Sequence, residues 1–203
     1  MDALLLDFNG VVVADEPLHF ASFRAILGED GIVLDELTYH ADYLGLDDRA
    51  AFREALRRAG RPALPAQVQR LIARKAAAYA ALAERGLRIV PGVSGFVKAA
   101  AVGARIAVVS GALAAEIRAG LARAGIADLV EYIVSAEDVP TSKPDPGGFQ
   151  LALRRLREAH GGGAWRAVVI EDSLPGLESA RALGAGCVML TTSHDATLLG
   201  GAD

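Results

Sequence analysis

The stretch Ala3-Leu4-Leu5-Leu6-Asp7-Phe8-Asn9-Gly10 decides the fold. Its four apolar residues do not alternate with polar ones, which suits a strand buried on both faces of a parallel sheet. Four further runs share that character: Arg105–Val109, Val130–Val134, Ala167–Ile170 and Gly186–Leu190. Helical patterns separate them. Leu113, Ile117, Leu121 and Ala124 fall on one helical face before Gly125. Phe149, Leu153 and Leu156 do the same behind Pro146, a good first-turn residue. Strands alternating with helices of this size imply right-handed βαβ units. The expected class is α/β, with a doubly wound parallel five-stranded Rossmann-like core.

One connection is too long. Residues 7–104 separate the first run from the second, far more than one crossover helix requires. Within them Phe52, Ala55, Leu56 and Ala59 form an apolar stripe closed by Gly60. Val68, Leu71, Ile72, Tyr79 and Leu82 form another, ending at Gly86. We expect a four-helix subdomain inserted at residues 15–88, with residues 1–14 and 89–203 forming the core. Pro91-Gly92 marks the return to that core. Length agrees, since at roughly 150 residues per domain the 203 residues make one domain with a sizeable insertion.

Composition narrows the function classes. Hydrophobic residues make up 52% and charged ones 23%, which excludes wholesale disorder. The 25 acidic and 21 basic residues give a net charge of −4, against a nucleic-acid binder working by bulk charge. The single cysteine, Cys187, excludes an internal disulfide, agrees with a reducing compartment and reads as structural. Mean hydropathy is +0.30, raised by alanine. The longest uncharged run, Ala182–His194, falls short of the ~18 apolar residues that span a bilayer. The start, Met1-Asp2, lacks the basic segment of a signal peptide. A cytoplasmic, membrane-free monomer is expected.

In a doubly wound sheet, ligands bind outside the carboxyl ends of the strands. Asp7-Phe8-Asn9-Gly10 follows the first run, Ser110-Gly111 the second, Lys143-Pro144-Asp145-Pro146 lies beyond the third, and Glu171-Asp172-Ser173 follows the fourth. Alone, each is an ordinary turn or helix cap. That bland reading must hold at four strand ends at once, in order, beside an oversized insertion.

D-x-x-G-V-V, V-S-G, K-P-D-P and E-D-S-x-x-G, in that order, resemble the haloacid dehalogenase-like hydrolase superfamily. The branch is the one with a helical cap after strand one, which includes sugar-phosphate phosphatases and β-phosphoglucomutase. The resemblance covers essentially the whole chain. It implies Asp7 as nucleophile, forming an aspartyl-phosphate. It implies Mg²⁺, a hard ion that takes oxygen ligands, held by Asp7, Asp172, the backbone carbonyl of Asn9 and Glu171. Lys143 would neutralise Asp7 and a phosphate oxygen. Ser110 would donate hydrogen bonds, with Gly111 and Ala112 beside it binding substrate.

The sequence departs from the family at Asn9, where phosphatases and mutases carry an aspartate as general acid and base. An amide cannot shuttle a proton at neutral pH, and losing a positioned general acid typically costs about 10²–10⁴-fold in rate. A mutase needs that shuttle in both half-reactions, so Asn9 weighs most against a sugar phosphomutase. Dehalogenase relatives usually place an aromatic there and dispense with metal, which Glu171-Asp172 argues against. A slow natural enzyme, an engineered trap and a binding protein with vestigial chemistry all remain open. So does conversion of Asn9 to aspartate in part of the molecules, since Asn-Gly is prone to deamidate.

In the insertion, Glu16-x-x-His19 is similar to the family's entry into the cap. His19 reads either as a solvated or capping residue, or as a polar group that partly replaces the missing acid. Lys75 interrupts an apolar stripe, either snorkelling to solvent or meeting a distal anionic part of the substrate. Gly45-Leu46-Asp47-Asp48-Arg49 resembles the cap's substrate loop, with Arg49 one residue later than in the mutase pattern. The expected activity is a Mg²⁺-dependent phosphatase of a small phosphorylated metabolite, its cap closing over the core. The alternatives are a sugar phosphomutase and a catalytically impaired phosphometabolite-binding protein.

Overall fold

The computed structural model describes residues 1–194 and 196–198. Five strands form one sheet: β1 (Ala3–Leu6), β2 (Arg105–Val109), β3 (Tyr132–Val134), β4 (Ala167–Glu171) and β5 (Gly186–Met189). Their order is β3-β2-β1-β4-β5, and every pairing is parallel. This is the doubly wound α/β class expected. The first strand lies at the centre, which is why Ala3–Leu6 is buried throughout and carries no polar residue.

Register matters more than order here. Leu6 lies level with Val108 on β2 and Ile170 on β4. Asp7 and Glu171, each one residue further on, therefore stand side by side at the carboxyl edge, Asp7 just past β1 and Glu171 at the end of β4. The Asp7 N–H donates to the Ile170 carbonyl at 2.9 Å and carries the pairing one step past the strand.

Helices α1 (Glu16–Glu29), α2 (Glu36–Asp42), α3 (Asp48–Arg58) and α4 (Pro65–Gly86) follow β1. The core carries α5 (Val93–Ala100), α6 (Ala114–Ala124), α7 (Gly147–His160) and α8 (Leu174–Leu183). The chain divides into two units, Met1–Ala14 with Arg88–Asp203, and Asp15–Leu87. Of the expected core, residues 195 and 199–203 lie outside the described residues.

Each unit has its own apolar centre. In the first, Leu5, Val109 and Val169 of the sheet pack with Phe149, Leu153 and Leu156 of α7. Cys187 is buried in that cluster. In the second, Phe23 and Leu27 of α1 pack with Phe52 and Leu56 of α3 and Val68 and Leu71 of α4. Asp35 and Asp47 cap α2 and α3 by accepting from the N–H groups of Thr38 and Ala50. Among the described residues no helix is long and apolar enough to cross a membrane.

Three local expectations shift. The third strand starts at Tyr132, because Val130 closes a 3₁₀ turn at Ala127–Leu129 with its N–H on the Ala127 carbonyl. Ala59 is exposed and caps α3 instead of joining its buried stripe, since the helix stops at Arg58. Pro146 occupies the N-cap of α7, one position before the first turn.

Candidate active site

Parallel strands deliver their carboxyl ends to one edge, and four acidic or basic side chains meet there. Asp7 leaves β1, Glu171 ends β4 and Asp172 follows it. Lys143 arrives from the loop between β3 and α7. Its ammonium lies 2.5 Å from Asp7 Oδ1, 2.5 Å from Glu171 Oε1 and 2.9 Å from the Val109 carbonyl. All three donors of the ammonium are thereby spent, and the Phe149 ring lies 5.0 Å beneath it. Asp7, Glu171 and Asp172 are 7%, 0% and 3% exposed, so this is a buried charge cluster.

The second oxygen of Glu171 accepts from the N–H of Asp172 (2.9 Å), the N–H of Ser173 (3.0 Å) and the Ser173 hydroxyl (2.9 Å). Ser173 also caps α8, taking the Gly176 N–H at 3.1 Å. Within this motif Ser173 is the helix cap, while Glu171 and Asp172 stand at the carboxyl edge. Asp172 accepts hydroxyl donors from Thr192, at 3.1 Å, and from Ser193, both on the segment after β5. Thr192 also donates to the Gly10 carbonyl at 2.7 Å. Ser110 follows β2, accepts the Ala112 N–H at 3.1 Å and donates to Asn9 Oδ1 at 3.2 Å. Asp7, Asn9, Ser110, Gly111, Ala112, Lys143, Glu171 and Asp172 thus share one edge of the core.

Three carboxylates face one ammonium, and their protonation reflects that imbalance. Burial pushes the Asp7 carboxyl up to about 8; Lys143 pulls it down, while Glu171 and Asp172 push it further up. Burial also lifts Asp172, to about 6, against the pull of the Ser193 hydroxyl. Burial opposes the charge on Glu171 as well, yet Lys143 and the N–H donors hold it below the usual carboxylate range. Burial disfavours the Lys143 ammonium, but Asp7 and Glu171 keep its pKa above the ordinary lysine value. Ligand atoms of the three acids lie within 4.8 Å of one another, close enough to share a cation.

Two glycines make room for the cluster. Gly10 has φ +72°, and a Cβ there would fall 1.7 Å from Asp172 Oδ2. A Cβ on Gly176 would fall 1.9 Å from the Glu171 carboxyl carbon. We expect Gly176→Ala to displace Glu171 and destabilise the protein by about 1–3 kcal/mol, as core overpacking does. Gly28, inside α1, has nothing within 4 Å of its Cβ position. Gly28→Ala should instead stabilise by about 0.5–1 kcal/mol. Chemical unfolding of the two variants checks both signs.

The remaining candidates lie in the helical unit. Lys75, on α4, is fully buried, so it does not snorkel to solvent. Its ammonium lies 2.8 Å from Asp48 Oδ1 and 2.8 Å from His19 Nδ1. An ammonium can only donate, so Nδ1 accepts and the His19 proton sits on Nε2, 3.2 Å from Asp15 Oδ2. Asp15 also accepts from the Tyr79 hydroxyl, and the Tyr79 ring stacks on His19 at 4.6 Å. Both His19 nitrogens are therefore engaged inside the unit. Gly45, at φ +84°, lies in the connection between α2 and α3, and Arg49 is half-buried in the first turn of α3. Sequence reasoning missed Thr192, Ser193, Asp15, Asp48 and Tyr79 as partners, and the purpose of Gly176.

A family model for haloacid dehalogenase-like hydrolases matches residues 1–184, and the chain belongs to that family. It is 38% identical over 79 residues to validoxylamine A 7′-phosphate phosphatase of Streptomyces hygroscopicus subsp. limoneus, a match covering 39% of this chain and 35% of that protein. It is 29% identical over 201 residues to protein CbbY of Cereibacter sphaeroides, covering 93% of this chain and 84% of the relative. The crystal structure of a CbbY mutant from Rhodobacter sphaeroides in complex with xylulose-(1,5)bisphosphate superposes with a TM-score of 0.85. It is 27% identical and is matched over 100% of this chain and 92% of its own.

Proposed function

We propose that the protein is a Mg²⁺-dependent phosphatase of small phosphomonoesters that works through an aspartyl-phosphate on Asp7. The observation that carries this reading is the register of β1 with β4, which sets Asp7 beside Glu171 with the Lys143 ammonium 2.5 Å from both. Family membership and relatives named for phosphorylated compounds support it.

In this reading an Asp7 oxygen attacks phosphorus while the P–O bond to the leaving group breaks. Water then attacks the aspartyl-phosphate, and the P–O bond to Asp7 breaks to release phosphate and the carboxylate. Lys143 holds the attacking oxygen in place and offsets charge that spreads over the phosphoryl oxygens. The N–H at Gly111 serves as a donor to that group, while Ser110, held between the Ala112 N–H and Asn9 Oδ1, shapes the turn that presents it. The donor set fits Mg²⁺, since Asp7, Glu171 and Asp172 offer hard oxygens and carry more negative charge than Lys143 balances. With the Asn9 carbonyl they would hold the ion, which supplies positive charge to the transferring phosphoryl group. Arg49 and the Gly45 connection are the proposed recognition elements of the helical unit, steadied by Lys75 and His19 through Asp48 and Asp15.

A phosphatase screen over a metabolite panel with Mg²⁺ tests the proposal. Phosphate release supports it, while saturable binding with no release favours a binding protein instead. Excess chelator and Asp172→Ala should each abolish release. Undiminished activity in chelator would revive the metal-free dehalogenase reading.

Protons compete with the cation at the two carboxyls that burial lifts to about 8 and about 6. Mg²⁺ should therefore raise Tm more at pH 8 than at pH 5. An equal rise at both pH values would place the ion elsewhere.

A further inference from the structure

Resting on the phosphatase reading, we infer that this site selects phosphoryl donors whose leaving group departs as an anion. Acyl phosphates and aryl phosphates are of this kind; alkyl phosphates are not. Asn9 sits two residues beyond Asp7 on the turn that follows β1. That turn is tight: the N–H groups of Val12 and Val13 both donate to the Phe8 carbonyl, at 2.8 and 3.1 Å, and Gly10 donates to the Val13 carbonyl at 2.7 Å. Asn9 therefore has little freedom to withdraw from the site edge.

The orientation of its amide is fixed as well. Ser110 Oγ accepts the Ala112 N–H, so its proton is directed to Asn9 Oδ1. The carbonyl end of the amide thus faces Ser110, and the opposite end carries only N–H donors. Such donors stabilise an oxyanion by hydrogen bonding but have no proton to transfer at neutral pH.

The ammonium at the edge is committed elsewhere, and so is the imidazole of the helical unit. Lys143 spends its three donors on Asp7, Glu171 and Val109. In the helical unit His19 has one nitrogen on Lys75 and the other on Asp15. The arrangement can stabilise an anion and cannot readily protonate one.

Chemistry then sorts the donors. When Asp7 attacks, the electron pair of the breaking P–O bond stays on the leaving oxygen. A carboxylate, whose conjugate acid has a pKa of about 4, accepts that pair without a proton, and a phenolate near 10 does so less well. An alkoxide, whose conjugate acid is as weak as water, requires a proton during cleavage. The second half-reaction is shared by all donors, and its water must lose a proton to solvent or to the departing phosphate. With acyl donors the aspartyl-phosphate should accumulate, because it forms quickly and breaks down without a base.

The test measures kcat/KM, which reports the first half-reaction, for the Mg²⁺-loaded protein on acetyl phosphate, p-nitrophenyl phosphate and glycerol phosphate. The expected order is acetyl, then aryl, then alkyl, with a phosphoenzyme on Asp7 in acid-quenched samples of the acetyl reaction. Asn9→Asp should raise the alkyl-to-acetyl ratio by about 10²–10⁴-fold. Equal rates on acetyl and glycerol phosphate in the unaltered protein, or an unchanged ratio in Asn9→Asp, would overturn the inference and leave the phosphatase reading standing. No phosphate from any donor, in either protein, would overturn both.

Discussion

Asp7→Asn should lower turnover by at least ~10⁴-fold while leaving the sheet intact, because it removes the proposed nucleophile and keeps its shape. The same variant should change stability in a direction that a purely structural residue would not. The Asp7 carboxyl is lifted from the usual carboxylate range to about 8 by burial, so the folded protein holds that proton more tightly than the unfolded chain. Its contribution is fully present below about pH 4 and is lost as pH rises through 8. An amide does not titrate. In chelator, then, Asp7→Asn should unfold at a higher temperature than the parent at pH 8, with the gap closing toward pH 4. Thermal melts across that range decide it, and a parent that is the more stable at pH 8 would refute the account.

Lys143→Met carries the second large effect. It leaves Asp7 and Glu171 buried without the cation that lies 2.5 Å from each. Removing one partner of a buried pair costs about 3–5 kcal/mol. For a chain of this size that corresponds to a fall in Tm on the order of 10 °C. Loss of the ammonium that steadies Asp7 and, in the proposed reaction, offsets phosphoryl charge should cost a further ~10²–10³-fold in kcat. Glu171 sets the pH window. Its folded pKa is depressed, so the stability it draws from Lys143 exists above the usual carboxylate range and fades as pH falls through the folded value. The Tm deficit of Lys143→Met should thus be large at pH 7 and shrink toward pH 3; a constant deficit would mean that the methylene chain alone mattered.

Much of this site was legible because a parallel sheet turns sequence order into geometry. Any polar residue directly after a buried apolar run must leave the sheet at the carboxyl edge, and Asp7, Ser110, Glu171 and Asp172 were found that way. Lys143 needed the motif, since its distance from β3 fixes no direction. Thr192 and Ser193 follow β5 by the same rule as the others, but a Thr-Thr-Ser turn carries no signal of the carboxylate it will meet. In the helical unit the obstacle was different. Helical periodicity placed Lys75 on the buried face of α4, but its partners Asp48 and His19 lie on other helices. Their meeting depends on how α1, α3 and α4 pack, which no spacing in the chain states. Gly10 and Gly176 read as turn residues, and only coordinates show which carboxylates they admit.

The two ends of the helical insertion leave the core as neighbours. Ala14 donates its N–H to the Arg88 carbonyl at 2.8 Å, Val90 donates to Val12 at 3.0 Å, and Val13 bridges Ile89 in antiparallel fashion. The core thus reaches the insertion through a closed stem, across which a two-residue turn would span as well as four helices do. Evolution can lengthen, shorten or exchange what hangs on such a stem without disturbing the strands beneath it, because neither end of the graft has to move. Residues 15–87 are in that sense a cartridge, one that can be exchanged while the carboxyl edge of the core is inherited whole.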